Sequence, residues 1–207
     1  MTLPPLAPVR FTNSSFGPVR PGSPALLLDR DGVLIKNVAT HVRQTHEVSV
    51  IPGAAEAVAR VRALGYVPVV LSNQAMVARK LATHGQMLRV HEHVLALLAE
   101  RGCHVAASYL CPHRGRDGCP CRKPEPGMAR QAAAELGLDL SRSVLVGDAL
   151  TDVEAARGCG ARPHLVLTGR GRRQSAAAAP RSLEDVVVLP DLRAVADRLE
   201  AAARAGG

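Results

Sequence analysis

A chain of 207 residues with 47% hydrophobic and 21% charged residues is long enough for one sizeable domain. No apolar run approaches the roughly 20 residues that cross a bilayer, and Met1 to Ser23 lacks the apolar centre of a secretory signal, so the chain reads as a cytoplasmic protein without a membrane partner. A net charge of +8 favours an anionic partner, yet scattered arginines and only 2% aromatics leave little on which nucleic-acid bases could stack.

Residues 1–24 hold six prolines and read as an extended, mobile leader before a domain spanning 25–207. The first strand is Ala25 to Asp29. Lys36 to Ser49, with His41 and His46, reads as a loop flanking the strand's end. Pro52-Gly53 opens a helix to about Leu64, stopped by Gly65. Val67 to Leu71 is the second strand, 85–101 an amphipathic helix with His91 on its apolar side, and Val105 to Leu110 the third strand. Pro126 to Leu136 is a helix, Ser143 to Val146 a strand, and Thr151 can cap a helix that stops at Gly158. Two short strands, Leu165 to Leu167 and Val186 to Leu189, flank an Arg/Gly/Ala loop at 169–181, and Pro190 to Ala205 is the terminal helix. This alternation predicts an α/β, Rossmann-like, mainly parallel sheet with helices on both faces and little or no cap domain.

In such sheets ligands bind beyond the carboxyl ends of the strands. Four predicted strand ends carry polar or metal-type residues: Asp29 and Asp31, Ser72 and Asn73, a cysteine cluster, and Asp148. An isolated Asp-x-Asp-Gly is ordinary turn chemistry, so it is the convergence that argues for a site. Asp29, Asp31 and Asp148 are hard oxygen ligands suited to Mg²⁺, which keeps waters and also takes phosphate oxygens. With phosphate so placed, Asp29 can attack as a nucleophile and Asp31 can carry the proton. Ser72 and Asn73 can donate to phosphoryl oxygens and Lys123 can add fixed positive charge. Asp152 has a plainer alternative as a cap or first-turn acid of its helix.

Cys111, His113, Cys119 and Cys121 lie within eleven residues. Three thiols and one imidazole close a four-coordinate structural zinc and leave no position open for catalysis; a reduced, metal-free cluster is the alternative. Cys103 and Cys159 stand outside the set and read as buried small hydrophobes.

In this order Asp29-Arg30-Asp31-Gly32-Val33, Ser72-Asn73-Gln74, Arg122-Lys123-Pro124 and Gly147-Asp148-Ala149-Leu150-Thr151-Asp152 resemble the four signatures of the haloacid-dehalogenase superfamily of phosphatases, over about residues 25–168. The resemblance implies that Asp29 is the nucleophile, Asp31 the acid/base, Asp148 a magnesium ligand, and that Asp31 offers the metal its backbone carbonyl. The cysteine loop is similar to that of the subgroup holding heptose bisphosphate and histidinol-phosphate phosphatases. The run Cys121 to Met128 looks closest to the heptose enzymes, which implies that Arg122 recognises substrate and Lys123 steadies the transferring group, with Arg79 also kept. The five-residue spacer between His113 and Cys119 is instead short, as in the histidinol-phosphate enzymes. Ala75-Met76, Ala149 and Asn37 depart from the heptose pattern, which has a Ser-Gly pair, a lysine and an acidic residue there. The expectation is a monomeric, Mg²⁺-dependent phosphomonoesterase with structural zinc, acting on the 7-phosphate of a heptose 1,7-bisphosphate. Histidinol phosphate or another small phosphorylated metabolite is the alternative within the class, and a basic zinc-loop protein binding nucleic acid the alternative outside it.

Overall fold

The apolar runs of the sequence become the strands of a single sheet. The computed structural model describes residues 7–38 and 41–206. Its strands are β1 (Val9–Thr12), β2 (Ser23–Leu28), β3 (Val67–Asn73), β4 (Ala107–Cys111), β5 (Leu138–Gly147), β6 (Arg162–Val166) and β7 (Val187–Leu189), in the order β1-β4-β3-β2-β5-β6-β7. Only the β1 and β4 pairing is antiparallel. The helices are α1 (Ala54–Ala63), α2 (His84–Ala99), α3 (Gly127–Leu136), α4 (Leu150–Cys159), α5 (Gly171–Ala177) and α6 (Leu192–Ala205).

Strand side chains alternate between faces, and β2 shows what that does to an unbroken apolar run. Leu26 and Leu28 enter one core with Val58 and Val61 of α1, Val90 and Val94 of α2 and Val195 of α6. Ala25 and Leu27 enter a second core with Met128 and Ala129 of α3 and Ala155 and Ala156 of α4. A parallel strand covered on both faces has no polar side to show, hence the run. The expected Rossmann-like arrangement is therefore observed, with helices on both faces and, in the described part of the segment between β2 and α1, isolated bridges of Asp31 with Ile35 and Ile35 with Val50 and one short 3-10 turn at Thr45–Glu47.

Three expectations are corrected. Residues 1–6 of the predicted mobile leader lie outside the described residues, but Val9–Thr12 form edge strand β1, paired from Val9 with Leu110 to Thr12 with Ala107, and Phe16 and Val19 pack on the second core. The Arg/Gly/Ala loop contains a helix, α5. Thr151 does not cap α4: the Asp152 carboxylate accepts from the Ala149 amide at 3.1 Å, and the helix runs past Gly158 to Cys159, with Gly160 closing it in the left-handed conformation. An acid at that position both accepts the unpaired amide and meets the positive end of the helix.

Register levels the strand ends. Leu28 lies opposite Val70 and Val146, and Asn73 opposite Cys111. The Asp29 amide donates to the Val146 carbonyl at 2.9 Å. The chain proceeds from β2 to β3 on one side and returns to β5 on the other. Asp29 thus stands where the strand order reverses, the crevice in which open α/β sheets bind ligands.

Candidate active site

Beyond β2 the chain turns sharply, because Gly32 at φ 93° brings the acidic loop against Asp148. A Cβ at Gly32 would stand 2.1 Å from Asp148 Oδ2, so any side chain there would displace that carboxylate. Asp29, Asp148 and Asp152 bring carboxylate oxygens within 4.8 Å of one another, and all three are buried. Such a cluster needs a cation, and Lys123 supplies one. Its Nζ lies 2.8 Å from Asp29 Oδ1 and 2.6 Å from Asp152 Oδ1, and it donates to the Leu71 carbonyl at 2.6 Å. Asp152 is therefore both the cap of α4 and an ion-pair partner inside the site.

Burial pushes the Asp29 carboxyl up to about 7; Lys123 opposes the rise and Asp152, Asp148 and Asp31 add to it. Burial alone would lower Lys123, but the Asp152 and Asp29 charges outweigh it and hold the ammonium above its ordinary value. Asp31 goes the other way. Burial would raise it, but the Arg30 charge and hydrogen bonds from Arg30 and Gln74 hold it below the usual carboxylate range.

Arg30 leaves the strand on the other side from Asp29, yet its guanidinium curls back onto Asp31, with Nε 3.2 Å from Oδ1 and an Nη 3.0 Å from Oδ2. The same Nη donates to Gln74 Oε1 at 3.0 Å, while Gln74 Nε2 donates to Asp31 Oδ2 at 2.9 Å and to Ser72 Oγ at 2.8 Å. Ser72 is buried, and its oxygen accepts that bond from Gln74. The Asn73 side chain clamps the backbone of Lys123, donating to its carbonyl at 2.9 Å and accepting from its amide at 3.1 Å. Asp148 is fully buried; its Oδ2 accepts from Asn37 Nδ2 at 2.6 Å and from the Arg170 amide at 2.8 Å, and Arg170 forms an ion pair with Oδ1 at 2.6 Å. An acid at position 37 could not make that donation.

These groups surround a cavity of about 530 Å³ lined by Asp29, Asp31, Asn73, Lys123 and Asp152, with Arg79, Arg122, Arg170 and Arg173 around it. Asp148 lies below the lining. Sequence reasoning did not single out Arg30, Gln74, Arg170 or Arg173. Arg30 and Gln74 stood within recognised signatures without a role of their own, whereas nothing local marks Arg170 and Arg173, in the Arg/Gly/Ala stretch, as inward-facing.

The cysteine loop sits against the same cavity. Cys111 Sγ is 3.6 Å from Cys119 Sγ and 3.3 Å from Cys121 Sγ; Cys121 Sγ is 3.5 Å from Cys119 Sγ; and His113 Nδ1 lies 3.4 Å from Cys111 and 3.3 Å from Cys121. Zinc–sulfur bonds of roughly 2.3 Å set tetrahedral edges of about 3.7 Å, so the donor set fits a closed zinc site. Within the Asp cluster, Asp29 and Asp148 are hard oxygen donors that fit magnesium, while Asp152 is held by Lys123 and the Asp31 carboxylate, expected near the metal, is turned to Arg30 and Gln74.

A family model described as haloacid dehalogenase-like hydrolase matches residues 25–157. The chain belongs to this family. A second haloacid-dehalogenase hydrolase model matches residues 120–195. Among curated members, a D-glycero-beta-D-manno-heptose-1,7-bisphosphate 7-phosphatase of Pseudomonas aeruginosa is 39% identical over 84% of this chain and 96% of its own length. One of the same name from Bordetella bronchiseptica is 38% identical over 84% and 96%. The crystal structure of a B. bronchiseptica D,D-heptose 1,7-bisphosphate phosphatase complexed with magnesium and phosphate superposes with a TM-score of 0.80 at 37% identity, covering 86% of this chain and 99% of that one. A second solved structure, from Mesorhizobium loti, gives 0.80 at 29% identity over 98% and 96%. This member of the family is an enzyme of the phosphatase type. No helix among the described residues is long and apolar enough to cross a membrane.

Proposed function

We propose that the chain removes the 7-phosphate of D-glycero-β-D-manno-heptose 1,7-bisphosphate through an aspartyl-phosphate at Asp29. The seating of Lys123 carries the reading. It follows the last cysteine of the loop by two positions and closes the gap between Asp29 and Asp152, so that the zinc loop and the carboxylates build one cavity.

Asp29 attacks phosphorus as the bond to the sugar oxygen breaks, and Asp31 gives that oxygen its proton. Water then attacks the acyl phosphate, Asp31 takes the water's proton, and Asp29 is regenerated. Asp29, Asp148 and the Asp31 carbonyl would hold magnesium, which would neutralise charge on the phosphoryl oxygens. Lys123 adds fixed positive charge beside them, and the Ser72 hydroxyl can turn its hydrogen to one of them. Between Arg30 and Gln74, Asp31 is set as a proton acceptor, the state the second step uses. To serve the first step it must receive a proton as substrate binds. Cys111, His113, Cys119 and Cys121 hold zinc and with it the loop that delivers Arg122 and Lys123. Arg122 is fixed by donating to the His113 carbonyl at 3.0 Å, and together with Arg79 it faces the sugar end.

One chain supplies every group of the site, so a monomer suffices for the reaction, and a reduced thiol set with a soluble sugar phosphate as substrate supports the cytoplasm. The test is phosphate release from separated anomers of the bisphosphate, with histidinol phosphate and a 3′-phosphorylated oligonucleotide alongside, the position of loss read by phosphorus NMR. Loss of the C7 phosphate supports the reading. No release from either anomer while another ester turns over sinks it.

A further inference from the structure

The segment that follows β6 is built directly onto the acidic loop. Thr168 Oγ1 donates to the Gly32 carbonyl at 2.6 Å, and the Arg170 amide and side chain hold Asp148. Gly169, at φ 56°, approaches so closely that a Cβ would stand 2.3 Å from Asp148 Oδ2, 2.6 Å from Gly32 Cα and 2.7 Å from Asn37 Nδ2. Only glycine permits that contact. The first turn of α5 is thereby fixed at the edge of the site, and it brings Arg170 and Arg173 to the lining of the cavity that holds Asp29.

The charges around that cavity divide into paired and unpaired groups. Arg30 answers Asp31, Lys123 answers Asp29 and Asp152, and Arg170 answers Asp148. Among the described residues Arg79, Arg122 and Arg173 have no carboxylate partner. Arg79 and Arg122 follow β3 and β4, on one side of β2, and Arg173 follows β6 on the other. His41 lines the same cavity as Arg79, Arg122, Arg170 and Arg173, so basic groups from both sides surround it; burial and then Arg79 lower its imidazole, Asp31 opposing and Arg122 and Arg170 adding to the fall. A transferring phosphoryl group brings a charge of about −2 and meets magnesium and Lys123. The three unpaired guanidinium groups exceed what it requires.

We infer that Arg173 is a specificity-determining residue, its guanidinium binding the phosphoryl group of the substrate that is not transferred. This rests on the bisphosphatase reading above and adds a contact from the α5 side of the cavity. Arginine suits the role because its planar donors match phosphate in pairs. The energy gained there is spent on holding the sugar, so a substrate without the second phosphate gains nothing from it.

The test compares wild type, Arg173→Gln and Arg173→Lys on heptose 1,7-bisphosphate and on heptose 7-phosphate, with thermal midpoints measured for each protein. Arg173→Gln should lower kcat/KM for the bisphosphate about tenfold more than for the monophosphate, as expected for one charge-assisted hydrogen-bonded contact. The loss should lie in KM rather than kcat, and Arg173→Lys should recover part of it. Equal losses on both substrates, or none on the bisphosphate with wild type active, would overturn the assignment of Arg173 alone. A wild type that releases no phosphate from the bisphosphate would instead overturn the reaction on which it rests.

Discussion

The Nζ of Lys123 sits 2.6 Å from a carboxylate oxygen of Asp152, with both side chains buried. With Asp29 on its other side, this lysine is the counter-ion of two acids, one just beyond β2 and one in the first turn of α4. Removing one member of such a set costs far more than the set contributes, because the others are left charged and dry. Lys123→Met should therefore lower unfolding free energy by about 3–5 kcal/mol, measured by urea denaturation at neutral pH. A loss within the error of the measurement would show that the ion pairs are not formed in solution.

Asp152 carries two roles that substitution can separate. Asp152→Asn keeps an oxygen for the Ala149 amide and loses the charge facing Lys123; Asp152→Ala loses both. The alanine variant should be less stable than the asparagine variant by about 1 kcal/mol, the worth of one helix cap. Equal unfolding midpoints would show that the capping contact contributes nothing.

The cysteine cluster predicts stoichiometric zinc in protein purified without chelator. Cys119→Ser should lose the metal, lower the thermal midpoint and reduce turnover together, since the loop it anchors delivers Lys123 to Asp29. Metal analysis finding no zinc in the wild type would refute the site. Full activity in a zinc-free variant would refute its link to Lys123.

His91 is wholly buried beside Phe11, with centroids 4.8 Å apart, and neither ring nitrogen has a hydrogen-bond partner among the described residues. Burial, then the charge of Arg30, lowers it to about 3, Asp31 opposing. The unfolded chain, with a histidine near 6.5, then binds the proton first. Stability is intact above about pH 6.5 and falls as pH drops from there toward 3. Wild type should lose roughly 2 kcal/mol more than His91→Leu between pH 7 and 5, read from denaturant midpoints. Parallel pH profiles would contradict the burial of a neutral imidazole.

Much of this was legible in the chain because it is local. An apolar run meeting Asp29 and Asp31, a Cys₃His spacing, and an acid after Gly147 each combine a strand end with a chemical group. What was hidden depends on distant partners. Strand β1 is four residues among prolines and exists because it pairs with β4, about a hundred residues on. Helix α5 has arginines and glycine where an apolar stripe would announce a helix, and its first turn is fixed by contacts of its N-terminal flank to Asp148 and Gly32. Arg30 looks like a surface charge, but Asp31 and Gln74 compensate it in the interior. Asn73 reads as a phosphate donor, and only the fold shows that its side chain also positions Lys123.

The central claim is that Asp29 forms the bond to phosphorus. Its most direct test is phosphate release from heptose 1,7-bisphosphate by wild type and Asp29→Asn, with the variant's folding verified by its denaturation curve. An amide is a far poorer nucleophile than a carboxylate, so wild type should release the C7 phosphate and the folded variant should show no turnover above background. Substantial turnover by folded, purified Asp29→Asn would contradict the account.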